Sequence, residues 1–289
     1  MPYSQLASPS ATISVLKEHG LYTRKSLGQH LLVDDNVVGR IISLARLSGA
    51  EHVVEVGPGI GTLTLALADS ARSVVAVEKD PRFAHVLATM AARRGNVRIV
   101  EADALDVDSS DVLGPAGELP SALVANLPYS IAATIVLSFF ESIPSIDSAT
   151  VMVQSEVADR MAACVGTKDY GAYSVKLALY ATVVDRFSVS RGCFLPPPRV
   201  DSSVVRLERV RSLLPRADIE RARRAAEGAF SQRRKTLRNA IAGSLGVSPA
   251  QVEAALRSVA VDPSSRAESH SPKTYVTLGQ ALHRFGLLP

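Results

Sequence analysis

Cysteine is scarce in this sequence. Its two cysteines, Cys164 and Cys193, form no CxxC pair, which argues against a disulfide framework or a cysteine-based zinc site and fits a reducing compartment. The six histidines are dispersed without metal-ligand spacing, so no metal is expected. Long apolar runs are missing as well. The richest, around residues 131–140, is far too short to cross a bilayer, so no membrane association is expected. The opening MPYSQLASPSATISVLKEHG lacks a basic segment followed by an apolar one and is not a secretory leader, so the chain reads as cytoplasmic.

What is present is a substantial apolar fraction, 47% of the 289 residues against 21% charged, enough for a sizeable core. The net charge of +4 hides an asymmetry. From Arg191 onward there are 17 Lys and Arg against 8 Asp and Glu, so the rest of the chain carries a net −5. A mildly acidic body with a strongly basic C-terminal third points to a polyanionic partner, and nucleic acid is favoured over a merely solvated helical surface.

The first 50 residues read as two helical pieces split by TRKSLGQHLLVDD. Then HVVEVGPGIGTLTLALADSA, SVVAVEKDPRFAHVLATMAAR, NVRIVEADALDVD, SALVANLPYSIAATIVLSFFES and ATVMVQSEVADRM each open on a short strand. Valine-rich strands alternating with helices imply an α/β fold whose mostly parallel sheet is covered on both faces. VVDRFSVSRGCFLPPPRVDSSVVRLERV differs, with two β-rich runs around a triple proline, and is expected to form an antiparallel pair at one sheet edge. After about Val210 the pattern becomes helical in four segments, ADIERARRAAEGAF, RRKTLRNAIAGSL, SPAQVEAALRSV and SPKTYVTLGQALHRF, with Gly243, Gly246, Pro249, Pro263 and Pro272 at or near the breaks. The expected division is therefore residues 1–210, α/β, and 211–289, a small all-helical domain.

Three successive strand ends carry groups suited to a nucleoside. EVGPGIGT, residues 55–62, is a glycine turn between strand and helix whose GxGxG spacing departs from the dinucleotide pattern GxGxxG. Glu78 ends the next strand, where an acidic group commonly binds ribose hydroxyls, and Asp103 follows the third, where a carboxylate can accept from an exocyclic adenine amine. Glu55, two residues before the glycines, would face the ligand's amino group or orient the turn. At the fourth strand end comes Asn126-Leu127-Pro128-Tyr129. An Asn amide is a poor acid or base and a good partner for an exocyclic NH2. Pro128 stiffens the turn, and Tyr129 offers a π-face for stacking a base.

With these residues in order, the chain resembles the S-adenosylmethionine-dependent rRNA adenine N6,N6-dimethyltransferases, and within them the small-subunit 16S rRNA enzymes more than the erythromycin-resistance enzymes of 23S rRNA. The resemblance runs nearly end to end through RKSLGQHLLVD, EVGPGIGTLT, VEKDPR, DAL, NLPY, VMVQSEVADRM, YGAYSVKL, FLPPPRVDSSVVRL and AFSQRRKTLRNA. It implies a Rossmann-like class I methyltransferase with a mostly parallel seven-stranded sheet and a helical RNA-binding domain. By the same resemblance His30, Leu32, Gly57, Gly59, Glu78, Asp103 and Asn126 would bind S-adenosyl-L-methionine. Asn126, Leu127, Pro128 and Tyr129 would hold the target adenine, with Phe194 stacking on its other face. Arg223, Arg224, Arg233, Arg234, Lys235 and Arg238 would contact RNA. The implied product is N6,N6-dimethyladenosine at two adjacent adenines near the 3′ end of 16S rRNA, within the small ribosomal subunit or its precursor, coupled to subunit maturation, with nothing demanding more than a monomer. The family usually has Asn where this chain has His30, and Phe where it has Leu27 and Leu31. Two other readings stay open: a 23S rRNA methyltransferase, and a non-catalytic ribosome assembly factor on the same fold. An NAD-dependent oxidoreductase would need GxGxxG and a hydride-transfer site, and neither is found.

Overall fold

Valine and alanine dominate the segments that become central strands, because a parallel strand covered by helices must bury both of its faces. The computed structural model, which describes residues 2–22 and 30–289, places α1 at Pro9–Glu18, β1 at Leu31–Leu32 and α2 at Asp35–Ala45. The alternating part follows as β2 (His52–Val56), α3 (Thr62–Ser70), β3 (Ser73–Glu78), α4 (Pro81–Ala91), β4 (Val97–Glu101), β5 (Ala122–Asn126), α5 (Ala132–Ser142) and β6 (Ser148–Gln154). Then come α6 (Ser155–Met161), α7 (Ala172–Ala178), β7 (Ala181–Val189), β8 (Phe194–Leu195) and β9 (Ser202–Arg209). Four helices end the chain: α8 (Arg216–Phe230), α9 (Leu237–Leu245), α10 (Pro249–Ser258) and α11 (Pro272–Arg284). Among the described residues no helix is long and apolar enough to cross a membrane.

Seven strands form one sheet in the order β4-β3-β2-β5-β6-β9-β7. The pairs from β4 to β6 are parallel, and β6 pairs with β9 antiparallel, Val151 opposite Val205. The two β-rich runs around the triple proline thus close one edge, as expected. Strand order reverses at β2, which lies between β3 and β5 with Val54 opposite both Val75 and Leu123. Such a switch point leaves a crevice at the carboxyl ends of the strands, where ligands of open α/β sheets bind. Every residue of β3 is buried, as are the first four of β5.

A second, two-stranded sheet was not legible in the sequence. Here β1 pairs antiparallel with β8, Leu31 opposite Leu195 and Leu32 opposite Phe194. Leu32 (3% exposed) and Phe194 (2%) join Val38, Val189 and Val204 in one apolar cluster.

The chain divides into two units, Met1–Ala158 with Val183–Arg209, and Asp159–Thr182 with Val210–Pro289. The chain passes from the first unit to the second near residue 210, and the stretch 159–182 belongs with the C-terminal helices. The reason lies in YGAYSVKL: Tyr170 and Val175 bury their side chains in the second unit's own core, among Ala225, Ala229, Ile241 and Tyr275. In that unit α9 starts later than expected. The N–H groups of Leu237 and Arg238 donate to the carbonyls of Ser265 and Pro263, which fixes the helix start and leaves Arg233–Lys235 in a turn. Gly243 lies inside α9 rather than at a break, while Pro249 and Pro272 occupy first turns behind the caps Ser248 and Ser271.

Candidate active site

The crevice at the switch point is a cavity of about 320 Å³, within the range of small-molecule sites. Its wall combines His30, Leu31 and Leu32, the glycine turn with Glu55, the β3 end with Glu78 and Lys79, Asp103 after β4, and Asn126–Ile131 after β5. Four strand ends expected to carry ligand groups therefore open on one space.

Backbone conformation explains the glycines. Gly57 and Gly59 have φ of +68° and +58°, a region that side chains disfavour. A Cβ on Gly59 would stand 2.7 Å from Leu31 Cδ2, and one on Gly57 would stand 3.4 Å from Pro128 Cδ. The turn thus passes tightly between the β1 strand and the NLPY turn. Glu78 is 7% exposed and locks it in place: one carboxylate oxygen accepts from Gly59 N–H (3.2 Å) and the other from Asp80 N–H (2.9 Å). Burial pushes the Glu78 carboxyl above the usual carboxylate range, while those two bonds pull it back. Burial also pushes Glu55 up to about 8; the Thr64 hydroxyl acts against that and the like charge of Glu78 adds to it.

Asp103 is differently placed. Lys79 Nζ donates to one of its oxygens and Leu105 N–H to the other, and both hold its carboxyl below the ordinary range. An adenine amine reaching Asp103 would share it with Lys79. Lys79 was not singled out in the sequence, although its position directly after Glu78 in VEKD was the available signal.

The NLPY turn is fixed at both ends. Leu127 N–H donates to the Met152 carbonyl (3.1 Å), and Ile131 N–H donates to the Pro128 carbonyl (3.2 Å). The Leu127 side chain is buried, and among the described residues its carbonyl accepts none of the turn's hydrogen bonds. Asn126 Nδ2 donates to the His30 carbonyl (3.0 Å), which orients the amide and leaves Oδ1 as an acceptor for the cavity. Tyr129 is half-buried, its hydroxyl 2.5 Å from Ser202 Oγ. Ser202, from the PRVDSS segment, was not singled out in the sequence.

Phe194 requires a correction. Its ring was expected to stack on the target base, but it is 2% exposed in the core, fixed there by the β1–β8 pairing, and takes no part in the cavity wall. The ring that faces Tyr129 is His30, stacked with centroids 5.4 Å apart and planes 25° apart. Since Leu31 stands opposite Leu195, His30 comes beside Pro196, and its Nδ1 lies 2.8 Å from the Pro196 carbonyl. A base using this face of Tyr129 must displace His30. Leu31 and Leu32 reach the cavity wall, whereas Leu27 falls outside the described residues. Among the described residues no group of three or more His, Cys, Asp or Glu could hold a metal.

In the second unit the six expected RNA contacts differ in how free they are. Arg223 and Arg224 both pair with Glu220. Arg233 donates to the Lys168 carbonyl, and Arg238 pairs with Glu253 at 2.7 Å, which Arg257 also contacts. Arg234 and Lys235, exposed in the turn before α9, have no acidic partner among the described residues.

The family model described as ribosomal RNA adenine dimethylase matches residues 20–283. The chain is 43% identical over 281 residues to the ribosomal RNA small subunit methyltransferase A of Nocardia farcinica, covering 94% of each. It is 45% identical over 266 residues to the protein of the same name from Kineococcus radiotolerans, covering 91% of this chain and 86% of that one. Among solved structures it is similar to a dimethyladenosine transferase from Plasmodium falciparum, with TM-score 0.74, 24% identity and coverage of 89% and 98%. It is also similar to the 23S rRNA methyltransferase ErmE, with TM-score 0.62, 30% identity and coverage of 88% and 99%.

Proposed function

This chain belongs to the ribosomal RNA adenine dimethylase family, and from that premise we propose that it transfers methyl groups from S-adenosyl-L-methionine to N6 of adenines in small-subunit 16S rRNA. The product is N6,N6-dimethyladenosine at two adjacent adenines near the 3′ end, and the work is done in the cytoplasm as small subunits mature. The observation that carries this reading is that one cavity joins the Glu78-locked glycine turn to the NLPY turn.

The residues present fit the cofactor. Glu78 offers a carboxylate to ribose hydroxyls and Asp103 one to the adenine amine; Gly57 and Gly59 let the backbone come close, and His30, Leu32 and Asn126 close the wall. When bound, the cofactor supplies a methyl group made electrophilic by its sulfonium. The chain's task is then to position the nucleophile. Asn126 Oδ1 and the Leu127 carbonyl accept from the N6 amine and favour a pyramidal nitrogen whose lone pair points along the transfer line. Held in line, the amine gains much of what it needs from orientation alone. Tyr129 stacks on the base in place of His30, and its π-face favours the transient positive charge. That charge makes the amine acidic, so its proton passes to water without a dedicated base, and the step needs no metal. After one methylation a single N–H remains, and it donates to one of the two acceptors, which still orients the amine for the second transfer. Phe194 supports this site through the β1–β8 core.

In the second unit, Arg234 and Lys235 contact RNA phosphates most directly, joined by Arg233, Arg223, Arg224 and Arg238 as RNA competes for their present partners. Such contacts give affinity and little sequence reading, so subunit structure supplies the choice of adenine. A single copy of the chain provides every group named.

The test is mass spectrometry of 16S rRNA from undermethylated small subunits incubated with the protein and S-adenosylmethionine. The expected result is N6,N6-dimethyladenosine with the native protein and none with Asn126→Ala. Methylation of 23S rRNA instead would assign the other substrate, and subunit binding without methylation would leave an assembly factor.

A further inference from the structure

Glu55 has no part in the roles above. It stands in β2 directly before the glycine turn, 1% exposed and in the cavity wall, with Oε2 lacking a hydrogen-bond partner among the described residues. At the start of α3 the Thr62 hydroxyl is buried in the same wall and likewise has no partner among the described residues, while the Thr64 hydroxyl, buried behind it, acts on Glu55 itself. Leaving buried polar groups unpaired is costly, and two of them, Glu55 Oε2 and Thr62 Oγ1, in the wall of one cavity mark a place that a ligand completes.

The charges around Glu55 do not favour its ionisation in the empty protein. From β3 it faces Glu78, of like sign, with Asp80 beyond it already paired to Arg82. Lys79, the cation of the cavity wall, is engaged by Asp103. From α3 the Thr64 hydroxyl acts on Glu55 and the Thr62 hydroxyl lies in the wall, and the β5 side contributes Asn126 and Tyr129 beside the His30 ring. Two adjacent buried carboxyls cannot both ionise cheaply, and Glu78 has the two backbone donors that stabilise an anion. Glu55 has none.

We infer that Glu55 is neutral while the cavity is empty and ionises when a cationic ligand enters, so that binding the methyl donor releases a proton to solvent. This rests on the cofactor reading above. At neutral pH the donor carries a sulfonium and an ammonium against one carboxylate, a net positive charge. The thioether left after methyl transfer has no net charge. Ionised Glu55 thus favours the donor. Once transfer removes the sulfonium charge, Glu55 takes a proton back from solvent and the product loses that attraction. The carboxyl therefore couples proton traffic to the distinction between fresh and spent cofactor.

The test is calorimetric titration of the protein at pH 7 with S-adenosylmethionine and, separately, S-adenosylhomocysteine, in phosphate and in Tris, whose ionisation heats differ. With Glu55 raised to about 8 when the cavity is empty, donor binding at pH 7 should release most of one proton, and the thioether should release clearly less. Donor affinity should rise about tenfold per pH unit from 6 to 7 and level off above 8. Glu55→Gln should bind the donor with no proton release and a flat affinity profile. Equal proton release for the two ligands, or none for the donor, would overturn the proposal; this comparison needs only the native chain and holds even if the variant fails to fold. Release persisting in a folded Glu55→Gln would move the proton to another group, Glu78 first, and overturn it too. If neither ligand gave any heat of binding, the cofactor reading itself would fall.

Discussion

Phe194 separates a packing role from a base-stacking role. The ring is 2% exposed, in one cluster with Leu32, Val38, Val189 and Val204, and its backbone is held in register with Leu32. Truncation to alanine removes a buried aromatic from a close-packed interior and should cost about 3–5 kcal/mol. For a unit of this size, where each kcal/mol moves the midpoint by roughly 2–4 °C, the loss corresponds to about 6–20 °C. Phe194→Leu decides between the roles. It keeps most of the apolar volume, so packing alone predicts a loss of about 1–1.5 kcal/mol and methyl transfer close to native below the melting transition. A ring that stacked on the substrate base would contribute about 1–3 kcal/mol per base, and its loss would lower kcat/KM for RNA by roughly 5- to 150-fold. The assay is a thermal melt by circular dichroism beside methyl transfer to undermethylated small subunits. A Phe194→Leu protein that melts within a few degrees of native, binds S-adenosylmethionine normally and yet loses tenfold or more in kcat/KM would refute the packing role.

Other outcomes follow from charge. The buried Glu55 carboxyl titrates near 8 in the folded chain against an ordinary value of 4.5. The unfolded chain ionises first as pH rises, so the stability that Glu55 contributes is fully present below about 4.5 and is lost progressively up to about 8. Melting temperatures measured without cofactor should fall across that window. Glu55→Gln should flatten most of the fall, leaving the part owed to Glu78, which is raised in the same direction. RNA binding followed against salt should lose roughly one unit of slope for Arg234→Ala and again for Lys235→Ala. Arg238→Ala should change the slope less, because that guanidinium is paired with Glu253.

The NLPY turn, the GxGxG turn and the Glu78 position were legible because each depends on local chain chemistry. A strand must end, a turn needs glycine or proline there, and the side chain at the strand's carboxyl end faces the crevice. Sheet composition was legible for the same reason, since valine runs such as SVVAVE have to be buried on both faces. Helix starts were partly legible. Ser248 and Ser271 cap where the pattern indicates, but α9 begins late because Ser265 and Pro263, more than 20 residues away, take its first N–H groups.

The sequence by itself determined the fold class, the family and the residue types at four strand ends, since these follow from periodicity and short motifs. Tertiary structure alone decided which ring faces Tyr129, because β1 pairing with β8 brings together residues some 160 positions apart, burying Phe194 and setting His30 beside Pro196. It also decided that 159–182 joins the helical unit, that Lys79 covers Asp103, and that Glu55 is left unpaired. Each of these depends on what long-range packing leaves next to a side chain, and no local pattern carries that information.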